Sequence, residues 1–218
     1  MAAFVGAPLT ASAQLDSIGP VNQNGTGFGN VNTVLTLSSP ANSSTEAGCI
    51  GPAIATCVPG DLVPGTSHSH LYTVGDFSGL SGSNLRLFLN FNEPGNASGG
   101  TLDGATLTLY NGNTILFHSS TAGAINFSST DPGTGNSGFA FGLSSSDAAL
   151  FDTFLSQSGS ANYTLGLSSS LSNVTGGPET WYIGTTTRMS TVPEPSSMVL
   201  LGTGLVGLIP MARRNLRK

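Results

Sequence analysis

Two segments of the sequence gather side chains that could bind a hard metal ion. Residues 90–96 and 175–179 combine carboxylate and amide oxygens with glycines that let the backbone bend. Calcium takes roughly six to eight such oxygen ligands, often from irregular loops. These segments are therefore interpreted first as solvated turns that hold no cofactor. The alternative is a structural calcium site, whose candidate ligands are Asn92, Glu93, Asn96 and Glu179.

Acidic side chains could instead act in glycoside hydrolysis, which needs two carboxyl groups facing each other across a cleft. Four acids occur in segments rich in Gly, Asn and Pro: Glu93, Asp103, Asp131 and Glu179. Their spacing leaves open which of them converge. A serine hydrolase is disfavoured, because no Gly-x-Ser-x-Gly turn stands between a strand and a helix. We therefore predict that the protein is not an enzyme and has no catalytic residues.

Two of the histidines are separated by a single residue, a spacing that would let both bind the same metal ion. On a strand, the side chains of His68 and His70 would point to the same face. The sequence offers no third ligand beside them, so an edge strand after the Pro64-Gly65 turn is the preferred interpretation. His118 ends an alternating segment and is predicted to be a half-exposed strand residue.

Short apolar runs separated by Gly, Ser, Thr and Asn indicate an all-β domain. In residues 85–91 every odd position is apolar, as expected for a strand that packs one face on a core. The turn signal Asn111-Gly112-Asn113 predicts a hairpin over residues 105–118. The predicted strands are residues 32–37, 71–77, 85–91, 105–110, 114–118, 139–143, 163–167 and 180–185.

One helix is predicted within this β pattern. Serines 144–146 can cap its N-terminus, and Asp147 suits its first turn. Apolar residues then recur at helical spacing, at Leu150, Phe151, Phe154 and Leu155. The helix is expected to close one end of a jelly-roll-like sandwich of two sheets.

Cations are almost confined to the end of the chain. Four of the six lysines and arginines lie within the last six residues, at Arg213, Arg214, Arg217 and Lys218. Residues 1–212 thus keep two cations against eleven acids, a formal charge of −9. Because such a surface repels phosphate backbones, nucleic-acid binding is excluded.

Residues 1–13 have the pattern of a signal-peptide remnant. An apolar run ends in Ala11-Ser12-Ala13, the small-x-small pattern that a signal peptidase needs. Gln14 is the expected first mature residue, and the alternative is an ordinary alanine-rich N-terminus. Residues 14–190 suit a single domain by their length.

Residues 191–218 combine three physical parts in a fixed order. Pro193 and Pro195 keep a Val-Pro-Glu-Pro segment extended. Residues 196–212 carry no charge and could form an apolar helix, shorter than the ~20 residues that usually span a bilayer. The basic tail, residues 213–218, would stay on the cytoplasmic side.

This order of parts resembles the PEP-CTERM sorting signal of Gram-negative bacteria. The matching residues are Val192, Pro193, Glu194 and Pro195, the glycine-punctuated apolar segment, and Arg213 and Arg214 behind it. The resemblance implies that an exosortase, a membrane cysteine transpeptidase, cuts near the Pro-Glu-Pro element. It also implies a C-terminal transmembrane helix that anchors the precursor in the inner membrane before the protein reaches the cell surface or extracellular matrix. The alternative is an ordinary single-span anchor.

Cys49 and Cys57 are the only cysteines and lie in a segment flanked by Gly and Pro. In an exported protein such a pair is expected to form a disulfide. A metal site is the weaker interpretation, because no second cysteine pair or nearby histidine completes it.

These observations lead to the hypothesis of a non-catalytic surface or matrix protein. Its hydroxyl-rich composition would suit contact with exopolysaccharide. A surface polysaccharide hydrolase and a passive structural spacer are the alternatives.

Overall fold

The computed structural model describes residues 14–22, 32–40, 43–53, 57–92, 100–128, 137–175 and 177–186. The chain divides into two compact units, residues 1–185 and residues 186–218. The architecture below is that of the first unit.

Within the described residues, the strands form two antiparallel sheets. They are β1 (Leu15–Asn22), β2 (Asn32–Leu37), β3 (Thr45–Ile50), β4 (Tyr72–Thr73), β5 (Leu85–Phe91), β6 (Thr101–Asn111), β7 (Thr114–Ser120), β8 (Ile125–Asn126), β9 (Ser137–Leu143), β10 (Thr164–Ser172) and β11 (Glu179–Thr185). The first sheet has the strand order β1-β9-β5-β11-β2. The second has the order β3-β10-β6-β7, with β4 beside β10 and β8 beside β6.

The two sheets bury their apolar faces in one shared core. The odd positions of β5, from Leu85 to Phe91, all point inward, as their alternation predicts. The middle of the core holds Trp181 from β11 and Phe141 from β9, whose ring centroids are 5.3 Å apart. The all-β, two-sheet prediction is therefore confirmed.

The β6–β7 hairpin is confirmed at the position that the turn signal predicts. Asn111 pairs with Thr114, so Gly112 and Asn113 form the loop between the strands. Gly112 has a φ of +57°, a left-handed conformation that glycine adopts without steric cost.

The predicted helix is confirmed as α1 (Ser145–Leu155). The hydroxyl of Ser144 accepts a hydrogen bond from the amide of Asp147 at 3.2 Å, which caps the first turn. Phe151 is fully buried, and its ring centroid lies 5.5 Å from that of Phe117 on β7. The helix thus packs one apolar side against the core.

The strand predicted over residues 71–77 is wrong over most of its length. Only β4 forms a strand there, and Val74–Asp76 forms a 3-10 turn. The Asp76 carboxylate accepts hydrogen bonds from the amide and the hydroxyl of Thr73, at 2.7 and 2.9 Å. This local cap stabilises the turn against the extended conformation.

A connecting segment, residues 61–70, covers the outer edge of β2. The amide of Val63 donates to the carbonyl of Thr36 at 2.9 Å, and the amide of His70 donates to the carbonyl of Val34 at 3.2 Å. The amide of Thr36 donates in turn to the Ser69 hydroxyl at 3.0 Å. The edge strand therefore has its backbone groups paired by a loop.

The predicted disulfide between Cys49 and Cys57 is confirmed. It ties β3 to the segment that follows this strand, and both half-cystines are buried.

No helix among the described residues is long and apolar enough to cross a membrane. The transmembrane segment predicted over residues 196–212 lies outside those residues.

Candidate functional site

The two segments that suggested a calcium site are neighbours at one end of the sandwich. The amide of Gly177 donates to the carbonyl of Asn92 at 3.0 Å. The side chain of Asn92 fills the space that a Cβ on residue 177 would need. Only glycine therefore fits at position 177 without displacing Asn92.

The four candidate calcium ligands are only partly within the described residues. Asn92 is half-buried, and Glu179 is fully buried at the start of β11, on the inward-facing side. Glu93 and Asn96 lie outside the described part of the chain. No group of three or more His, Cys, Asp or Glu side chains that could hold a metal ion occurs among the described residues. The calcium site stays a prediction.

Two of the four candidate hydrolytic acids lie on different sides of their sheets. Asp103 is exposed on the outer face of the second sheet, where it accepts a hydrogen bond from the Ser172 hydroxyl at 2.9 Å. Glu179 points into the core from the first sheet. These two carboxylates do not face each other across a cleft, as a glycosidase pair does. Glu93 and Asp131 lie outside the described residues.

The edge strand predicted at His68 and His70 is wrong, because the chain turns there. Gly65 has a φ of +111°, and its carbonyl accepts from the amides of His68 and Ser69 at 2.9 and 2.8 Å. His68 is exposed in this turn, whereas the ring of His70 packs edge-on against Tyr72 at 4.5 Å. The two imidazoles therefore do not share a strand face.

The outer face of the second sheet is a surface of hydroxyl groups. Outward positions alternate with buried leucines along β6 and β10. We name this surface the hydroxyl face, made up of Thr106, Ser120, Ser168, Ser170 and Ser172. The Thr106 and Ser120 hydroxyls lie 2.8 Å apart across neighbouring strands. The pattern of β10 carries this signal, but the strand predicted from sequence ends at residue 167.

His118 lies at the border of the hydroxyl face. It is exposed on β7, where it pairs with Thr108 of β6. Its prediction as a strand residue is confirmed.

Positive charge is scarce on the described surface. Among the described residues the one Lys or Arg side chain is that of Arg86. Its Nη1 donates to the carbonyls of Ser83 and Leu85 at 3.0 and 2.6 Å, and partial burial lowers the pKa of its guanidinium. On the same face of the first sheet, burial raises the pKa of Tyr182, although hydrogen bonds from Asn90 and Thr180 act in the opposite direction.

A buried carboxylate lies where α1 meets the start of the domain. Asp147 is only 3% exposed. Its Oδ2 accepts hydrogen bonds from the backbone amide of Gln14 and from the Ser119 hydroxyl, both at 2.6 Å. Local spacing places Asp147 only at the helix N-terminus, because its long-range partners cannot be read from the sequence.

Comparison with known proteins supplies one match. Residues 191–218 match the family model of the PEP-CTERM protein-sorting motif. No curated protein and no solved structure matches the chain significantly. The resemblance to this sorting signal is thereby confirmed, although Val192–Pro195 and the basic tail lie outside the described residues. The motif implies that the protein is exported, anchored in a membrane and then processed by an exosortase.

Proposed function

We propose that this chain is a non-catalytic surface or extracellular-matrix protein of a Gram-negative bacterium that contacts exopolysaccharide. The single observation that carries the proposal is the sorting motif over residues 191–218. The nature of the described surface supports that contact.

The hydroxyl face is the part of the domain best suited to a sugar chain. Serine and threonine hydroxyls both donate and accept hydrogen bonds, as sugar hydroxyls do. The face is made of short side chains on paired strands, so a polymer could lie along it without displacing long side chains. Because residues 1–212 carry a formal charge of −9, we expect a preference for neutral over acidic polysaccharides.

The strand order also supports a jelly roll as the fold. Four strands of the first sheet run in the order β2-β11-β5-β9, and four of the second in the order β3-β10-β6-β7. Successive strands from β2 to β3, from β5 to β6 and from β10 to β11 cross between the sheets, as two Greek keys require.

Sorting is tested with a tag fused after Lys218, in a host with and without its exosortase. We expect the wild-type chain to lose the tag only when the exosortase is present. The double variant Pro193→Ala/Pro195→Ala should keep it and stay in the membrane fraction, because the extended recognition segment is lost. Met189→Ala, which changes a residue just outside the motif, is the control and should be processed normally. A wild-type chain that retains its tag beside an active exosortase would contradict the proposal.

Polysaccharide contact is tested by co-sedimentation of the purified full chain with an insoluble neutral glucan. Each lost hydrogen bond costs roughly 0.5–1.5 kcal/mol. The triple variant Thr106→Ala/Ser168→Ala/Ser170→Ala should therefore bind about tenfold more weakly or worse. Thr66→Ala/Ser67→Ala/Ser78→Ala removes the same number of hydroxyls, from exposed loop positions, and should bind like the wild type.

The same samples are assayed for released reducing sugar. We expect none. Turnover that disappears when Glu93, Asp103, Asp131 or Glu179 is replaced would establish the hydrolase alternative. If the protein neither binds nor hydrolyses the polysaccharide, the passive-spacer alternative holds and contact with polysaccharide is rejected.

A further inference from the structure

The first described residue of the domain is held in place at its backbone. The Gln14 amide donates to Asp147, and the Gln14 carbonyl accepts from the amide of Ser144 at 3.0 Å. Gln14 also forms a parallel bridge with Ser120 at the edge of β7. The position of its nitrogen is thus fixed against the Asp147 carboxylate by contacts on both sides.

The Asp147 carboxylate is buried, and among the described residues only uncharged donors contact it. Its partners there are two hydrogen-bond donors without formal charge, on Gln14 and Ser119, while Arg86 is engaged with carbonyls of its own segment. Burying a carboxylate is unfavourable unless a positive charge or several donors compensate it. The N-terminus of α1 offsets part of that cost through its dipole.

The residues before Gln14 carry the pattern of a cleavage site that would free its nitrogen. Ala11-Ser12-Ala13 is the small-x-small pattern of a signal-peptidase site, and cleavage there would make Gln14 the first residue. Hydrolysis breaks the peptide bond between Ala13 and Gln14. Water supplies the hydroxyl that turns the Ala13 carbonyl into a carboxylate, and the released nitrogen of Gln14 takes protons to become an ammonium ion.

We propose that this α-ammonium group of Gln14 is the ion-pair partner of Asp147, so that removal of the leader during export completes the folded domain. A charged donor replaces an amide at a nitrogen that already lies 2.6 Å from the carboxylate. Hydrogen bonds between two charged groups are roughly twice as strong as neutral ones, and burial strengthens the attraction further. This ion pair would form whether or not the protein contacts polysaccharide.

The test compares two forms of the full-length protein in mild detergent. One chain runs from Gln14 to Lys218 and the other from Ala11 to Lys218, each released with a free amine from an N-terminal fusion. We expect the chain that starts at Gln14 to melt higher by roughly 3–6 °C. The Ala11 chain has the same residues in the domain but carries its ammonium three residues away from Asp147. Mass spectrometry checks that Gln14 has not cyclised.

A thermodynamic cycle with Asp147→Asn isolates the ion pair. The difference in melting temperature between the two chains should vanish in the Asp147→Asn background. If that variant does not fold, cyanate treatment of the wild-type chains serves instead. Carbamylation removes the α-amine charge from both chains and that of Lys218 in both, but only the Gln14 chain should lose stability.

Equal melting temperatures of the two wild-type chains would overturn the proposal. So would a difference that persists after Asp147→Asn. The mass of the mature N-terminus, taken from protein exported by its host, gives an independent check. A mature chain that begins anywhere other than Gln14 would also overturn it, while leaving C-terminal sorting unaffected.

Discussion

Replacing Trp181 with alanine is expected to lower the free energy of unfolding by about 3–5 kcal/mol, the usual cost of truncating a large buried aromatic residue. Trp181 is fully buried on β11, between Leu35 of β2 and Leu89 of β5. It contacts Phe141 of β9 as well, so its loss would leave a cavity that touches four strands. Urea denaturation followed by circular dichroism measures the change, since the variant lacks the only tryptophan of the chain.

Trp181→Phe is the matched control. It keeps an aromatic ring against Phe141 and removes the indole N–H, for which the described residues offer no hydrogen-bond acceptor. Losing an unsatisfied buried donor offsets part of the lost packing. We therefore expect a cost of only about 1–2 kcal/mol. A Trp181→Phe variant as unstable as Trp181→Ala would show that the ring volume is not what holds the two sheets together.

Replacing Gly60 with alanine should cost roughly 2–4 kcal/mol for two separate reasons. Gly60 has a φ of +57°, a conformation that strains any residue with a Cβ. The added Cβ would also collide with the Ala47 carbonyl oxygen, which already accepts a hydrogen bond from the amide of Asp61 at 2.8 Å. Relief would require moving the segment after the disulfide away from β3.

Gly79→Ala separates the two reasons, because Gly79 has a similar φ of +69° but open space where its Cβ would stand. It should cost only about 1–2 kcal/mol. The two variants are compared by urea midpoints under the same conditions. Equal losses would mean that backbone strain alone accounts for the effect and that the collision with Ala47 is relieved without cost.

Two strands could be predicted with their full bounds from sequence because their apolar residues encode their burial. The predicted bounds of residues 32–37 and 85–91 coincide with β2 and β5. In both strands, the apolar residues become buried together when the two sheets pack. Where the local pattern and the tertiary environment agree in this way, pairing partners need not be known in advance.

Two strands that the sequence does not predict, β1 and β3, depend on pairing with neighbouring strands for their extended conformation. β1 contains Gly19 and Pro20, and its register against β9 shifts between Ser17 and Gly19. β3 contains Gly48, where closely approaching backbone leaves no room for a side chain. Glycine and proline signal turns in a local pattern, whereas here they serve a bulge and a close contact at sheet edges.

The candidate sites were predictable to different degrees. The sorting motif is a contiguous sequence pattern, so it could be recognised without a fold. Residues 90–96 and 175–179 share a composition, but the sequence does not indicate that Asn92 and Gly177 approach each other. Likewise, the contact between Gln14 and Asp147 joins residues 133 positions apart. No local spacing carries that information, because it arises from how α1 is placed over the edge of β7.

The loop that runs along β2 limits how copies of the protein can associate at high concentration. An uncovered edge strand offers free amides and carbonyls to the edge of another molecule and seeds fibrous aggregates. Residues 61–70 occupy those groups with Val63, Ser69 and His70. On this side, then, crowded copies cannot extend one another's sheets, and the domain can be concentrated without polymerising through β2.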